Sequence, residues 1–127
     1  MAEDKPQGSL DEIKASIGDL SGVKVFGVQV LVGMWMRPEK TKGGILLTQK
    51  TRDEDKYQGK VGFVLKKGVN AFVDGGNHVF NGDNVEVGEC VLYRTSDGFP
   101  LDINGVHCRL IEDVHVKAVV SDPTMIW

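Results

Sequence analysis

The sequence predicts an all-β protein, a small barrel or sandwich of mostly antiparallel strands. Three observations lead there. Val28, Val30 and Val32 alternate with Gln29, Leu31 and Gly33, the period of two that a strand imposes. Further short apolar runs recur along the chain, each bounded by turn residues. The 16 glycines fall mainly between these runs, where tight turns need positive φ. A length of 127 residues fits one domain. With 41% hydrophobic residues the chain can bury a core without disulfide or metal staples.

Residues 1 to about 22 differ from the rest of the chain. Ser9-Leu10-Asp11-Glu12 has the Ser-x-x-Glu spacing of a capping box. Leu10, Ile13 and Ile17 then share one face of a short helix, with Leu20 just past Gly18. Barely three turns cannot stabilise a helix alone, because nucleation is costly, so this arm should order only against another surface. From Val23 onward the pattern is β. Val61-Gly62-Phe63-Val64-Leu65 reads as the strand after the valine alternation at 28–32. Ala71-Phe72-Val73 and His78-Val79-Phe80 flank Asp74-Gly75-Gly76-Asn77, a hairpin signal. Cys90-Val91-Leu92-Tyr93 is the next strand, and Asp97-Gly98 marks a turn. Leu101-Asp102-Ile103 and Val106-His107-Cys108 flank Asn104-Gly105, a second hairpin. Val114 to Val120 closes the series as a strand.

One stretch breaks the rhythm. Arg37 to Gln58 is crowded with Lys, Arg, Asp and Glu and has no strand or helix period over most of its length. Inside it sits one apolar island, Gly43-Gly44-Ile45-Leu46-Leu47. Loops this long in a compact domain are usually functional or disordered. An apolar triplet behind two glycines, in an otherwise solvated loop, has the form of a ligand peptide.

Composition excludes several function classes. A net charge of −3 argues against a general nucleic-acid binder, whose affinity comes largely from neutralising phosphates. A single-strand binder would interleave basic residues with aromatics, but aromatics are only 7% and the bases crowd one loop. The polar, acidic start Met-Ala-Glu-Asp-Lys-Pro is no signal peptide, and no apolar run approaches the ~20 residues of a membrane span. A soluble, cytosolic protein is expected. Cys90 and Cys108 stand in apolar strands and read as buried free thiols. A metal site from Cys90, His107, Cys108 and His115 fails on geometry, because neighbours on a strand point to opposite faces. Lys42-Gly43-Gly44 lacks P-loop spacing. Asp53, Glu54 and Asp55 read as a solvated charge run. His78, His107 and His115 have no sequence partner that makes a nucleophilic triad. No enzyme activity and no cofactor are expected.

Five pieces, taken in order, resemble the small co-chaperonins of the GroES family. They are Val30-Leu31-Val32, the loop with Gly43-Gly44-Ile45-Leu46-Leu47-Thr48, Gln58-Gly59-Lys60-Val61 through Gly68, Val85-Glu86-Val87-Gly88-Glu89-Cys90-Val91-Leu92-Tyr93, and Asp97-Gly98-Phe99 with the closing run from Glu112 to Val120. The resemblance covers about residues 25 to 121. It implies a GroES-like antiparallel barrel over 23–121, assembled as a seven-membered ring, with an arm at 1–22 and a tail at 122–127. It implies a mobile loop at about 37–58 that docks in apolar grooves on chaperonin apical domains. Ile45, Leu46 and Leu47 would make the contact, and Gly43 and Gly44 would permit the turn. A roof hairpin would lie at about 69–82. Strands around Val28, Val30 and Val32 and around Val116, Ala118 and Val120 would pair between subunits. The implied function is to cap a chaperonin and assist ATP-dependent folding.

Departures from that pattern define the rival reading. An arm precedes the barrel, the tail ends on Thr124-Met125-Ile126-Trp127, and Trp35 and Met36 stand where the family is usually charged. Packing within the barrel or at a subunit contact is the expected role of those two. Relatives with such additions resemble those of bacteriophages. A virion component, for instance one decorating a major capsid protein, would reuse the fold and clamp neighbours with its ends. Fold alone does not decide between the two.

Overall fold

The computed structural model describes residues 7–36, 60–73, 80, 83–94 and 96–125. The loop expected at about 37–58, with Gly43 to Leu47, lies outside the described residues, as does the hairpin tip at 74–77. Among the described residues one α-helix, α1 (Leu10–Ile17), precedes six strands: β1 (Gln29–Met34), β2 (Val61–Lys67), β3 (Cys90–Leu92), β4 (Phe99–Ile103), β5 (Val106–Glu112) and β6 (Ala118–Val120). They form one sheet in the order β4-β5-β1-β2-β3-β6, and every neighbouring pair is antiparallel.

Local chemistry sets the element ends. Ser9 caps α1: its Oγ accepts the Glu12 amide at 3.2 Å, satisfying a donor that the first turn leaves open. Gly18, at φ 75°, ends the helix in a conformation that a side chain would strain. The turn Asn104-Gly105 has positive φ at both residues (50° and 82°), the twist that a two-residue hairpin needs. Ile103 therefore pairs with Val106, and the register runs out to Phe99 opposite Leu110.

The sheet buries both faces. Val30, Val32, Val64, Val91 and Ile111 point to one side and pack with Ala71, Phe72, Val85 and Tyr93. Leu31, Trp35, Val61, Phe63, Leu65, Cys90, Val106 and Cys108 point to the other, where Ile13 and Ile17 of α1 close over them. Alternation in β1 therefore does not divide core from solvent; it divides an inner core from a core under the arm. The surface the arm requires is the chain's own sheet. Gly33 is what lets the helix come so close: a Cβ there would sit 2.9 Å from Ile13 Cγ2 and 3.0 Å from Leu65 Cδ1.

One expected strand run is a turn and another is shortened by one. Phe72 lies in a turn at φ 62°, and its amide donates to the Asp113 carboxylate at 3.0 Å. Residues Asp113–His115 form a 3₁₀ turn, so the last expected strand is shortened to β6. Its cap is reciprocal: the Glu112 side chain accepts the His115 amide, and His115 Nδ1 accepts the Glu112 amide at 3.3 Å. This local pairing competes with strand extension after β5.

Candidate functional site

Residues 37–59 lie in the sequence between β1 and β2, and the ends of those two strands form the root of the segment. Backbone bonds carry the ladder past the strand ends: the Trp35 amide donates to Val61 O, and the Tyr93 amide donates to Lys60 O, each at 2.9 Å. Trp35 and Met36 are both 2% exposed, and Trp35 belongs to the core under the arm. Packing within the domain is the role they take.

The arm fastens to this root. Met36 donates its amide to Gln7 O, and Trp35 Nε1 donates to Gly8 O, both at 3.0 Å. The Gln7 side chain then works as a piece of strand. Its Nε2 donates to Met34 O at 2.6 Å and to His107 O at 3.0 Å, and its Oε1 accepts the His107 amide at 2.9 Å. One carboxamide thus joins the end of β1 to β5, in a site where an unmade bond would cost a full desolvation penalty. Farther along, Asn104 Nδ2 donates to Ile17 O at 2.7 Å and Lys66 Nζ to Val23 O at 2.6 Å. The helix stripe is readable in the sequence, but Gln7 is not: it precedes the cap and falls outside the apolar period.

The residues expected between subunits are separated by the structure. Val30 and Val32 are fully buried in the inner core, and β1 bonds β2 on one edge and β5 on the other. That strand has no edge left to pair with a neighbour. Val28 is half-buried, and its carbonyl accepts the Asp113 amide at 2.9 Å. Val116, half-buried, precedes β6 just after the 3₁₀ turn. Ala118 is exposed and Val120 half-buried, and β6 carries both at the end of the sheet, paired on one side to β3. Val119 between them is half exposed.

Electrostatics at the remaining candidates is that of packing. Cys90 and Cys108 are buried free thiols under the arm. Burial pushes the Cys90 thiol up to about 11 and the Cys108 thiol up to about 12. His107 lies on the opposite side of β5 from Cys108, with Nδ1 2.7 Å from Asp102 Oδ1 across the hairpin. Asp113 is 2% exposed, and one of its carboxylate oxygens accepts the Phe72 amide. Among the described residues, no helix is long and apolar enough to cross a membrane.

The family model described as the chaperonin 10 kDa subunit matches residues 22–120. The match begins where the arm ends and takes in all six strands, the segment 37–59 and the turn at 69–72. With the six-stranded antiparallel sheet, it makes this chain a member of the chaperonin 10 family, the GroES-like co-chaperonins.

Proposed function

We propose that the chain caps a chaperonin ring and assists ATP-dependent folding, docking through Ile45, Leu46 and Leu47 with Gly43 and Gly44 allowing the turn. The observation that carries this reading is the family match across residues 22–120, which includes the polar segment holding that apolar triplet. Three aliphatic side chains contribute about 5–9 kcal/mol when fully buried. Ordering a loop costs about 1–2 kcal/mol for each fixed residue, so one loop binds weakly. A ring that presents several loops on one body converts weak contacts into avidity. Weak units also release when the partner changes conformation, as a lid must.

The assembly proposed is the family's seven-membered ring. Its pairing would fall to β6, where Ala118 and Val120 lie on the strand at the end of the sheet and Val116 just before it, and to the approach to β1 at Val28. Val30 and Val32 belong to the inner core instead.

Co-sedimentation with a purified chaperonin, with and without adenine nucleotide, tests the reading. Nucleotide-dependent capture is expected, and Leu46→Asp should abolish it by forcing an uncompensated carboxylate into an apolar groove. Absence of capture by the host's chaperonins would refute it.

A further inference from the structure

We propose that Gln7 is a positioning residue: it couples docking of the N-terminal arm to the end of β1, after which residues 37–59 follow. The proposal rests on the reading of that segment as the chaperonin-docking element.

The end of β1 is held from two directions, and the start of β2 from the sheet side alone. On the sheet side, Trp35 bonds Val61 and Tyr93 bonds Lys60. On the arm side, Gln7 takes Met34 O and the Met36 amide, and Gly8 takes the Trp35 indole. Met36 is the last described residue before the segment, and its amide donates to the arm at Gln7 O. A strand end that frays adds its freed residues to those that docking must order, and so raises the entropy lost on docking. Holding residues 34–36 against Gln7 removes that freedom in advance, which is preorganisation. The hold is polar and local, while Ile13 and Ile17 anchor the helix one turn and more away. The root can therefore loosen without the helix leaving the sheet.

The family match starts at residue 22, so the arm and Gln7 lie outside the residues it matches. This chain thus adds a brace to its docking element from a segment beyond the shared fold.

The test uses the full chain with Gln7→Ala and, as a milder cut, Trp35→Phe, which keeps the aromatic packing and loses the bond to Gly8. Amide hydrogen exchange on the free protein reads the root. In Gln7→Ala the Met36 and His107 amides should exchange about tenfold faster or more, while those of β3 and β6 stay unchanged. Capture by a purified chaperonin with nucleotide reads the docking element. Its apparent affinity should fall about tenfold, the equivalent of one further residue to be ordered at the root. Asn104→Gly, which cuts the bond to Ile17 at the far end of the helix and keeps the turn, should leave capture unchanged. Faster exchange in Gln7→Ala with undiminished capture would overturn the proposal, and so would unchanged exchange. Failure of the unmodified chain to be captured would instead refute the docking reading itself, and the proposal with it.

Discussion

The contact between Ile13 and Gly33 yields a prediction whose sign depends on the arm being seated on the sheet. Ile13 is fully buried, and the nearest atom to a Cβ built on Gly33 is its Cγ2, at 2.9 Å. Ile13→Ala removes that methyl and two more carbons, and the bare backbone of Gly33 cannot fill the void. The expected loss is about 2–5 kcal/mol. Gly33→Ala alone inserts a methyl below ordinary contact distance from Ile13 and at 3.0 Å from Leu65 Cδ1. It should cost about 1–3 kcal/mol by overpacking, partly offset by the better strand propensity of Ala, about 0.5–1 kcal/mol. In the double variant the new methyl enters the void left by Ile13. The two changes should therefore couple favourably by about 1–3 kcal/mol, leaving the pair near the cost of Ile13→Ala alone. Urea unfolding followed by circular dichroism measures all three values. The coupling corresponds to several degrees in Tm for a domain of this size. Additivity within about 0.5 kcal/mol would mean that the helix does not rest on Gly33, and that the core under the arm is wrong.

Three further outcomes are expected. Asn104→Ala should cost about 2–3 kcal/mol in urea melts, since Ala resists φ 50° and the bond to Ile17 O is lost, while Asn104→Gly should cost only the bond, about 1 kcal/mol. Cys90 and Cys108 should resist a thiol reagent at pH 8 in the native state and both react in denaturant. Because the folded thiols are raised to about 11 and about 12 from an ordinary 9.0, the unfolded chain releases protons first, so their contribution to stability should be flat below about pH 8 and be lost as pH rises through 9 and above. Removing residues 1–22 should expose Leu31, Phe63 and Leu65, with binding of a hydrophobic dye and association in sedimentation velocity beyond that of the intact chain.

The strands were legible because a period of two and paired turn residues are local signals, and Asn104-Gly105 is the cleanest case: both residues are types that tolerate the positive φ which the hairpin imposes. The misread runs share one cause. Ala71-Phe72-Val73 and Val114 to Val116 are apolar enough for strands, but Asp113 takes the Phe72 amide and Glu112 with His115 closes a turn. The first partner lies 41 residues away, out of reach of a local pattern, while the second is a pairing three residues apart that a search for apolar runs passes over. The helix was legible from Ser9, Glu12 and the spacing of Ile13 and Ile17, whereas its docking surface was not named by them. A trace of it was present, since β1 and β2 are apolar at both parities, and a strand exposed on one face would not be. Gln7 left no trace, because a lone Gln in a polar stretch carries no period. The apolar island at 45–47 stood out by contrast with its surroundings, and its proposed use came from the family resemblance.

The same burial weighs between the two readings of the chain's ends. A virion clamp would need an arm that presents apolar surface to a neighbour. Here Ile13 and Ile17 are covered by the chain's own sheet, and the outward side of α1 shows Asp11, Glu12, Lys14 and Ala15. Exposed charges of that kind contribute between zero and about 1 kcal/mol per pair to a contact. To clamp with its apolar face, the arm would first have to uncover Leu31, Phe63 and Leu65, and the neighbour would have to replace what the helix already supplies. Intramolecular docking has no translational entropy to overcome, so the closed arm prevails unless the partner offers far more area than one short helix presents. An arm closed this way stabilises the sheet it covers, and its apolar face is already spent there.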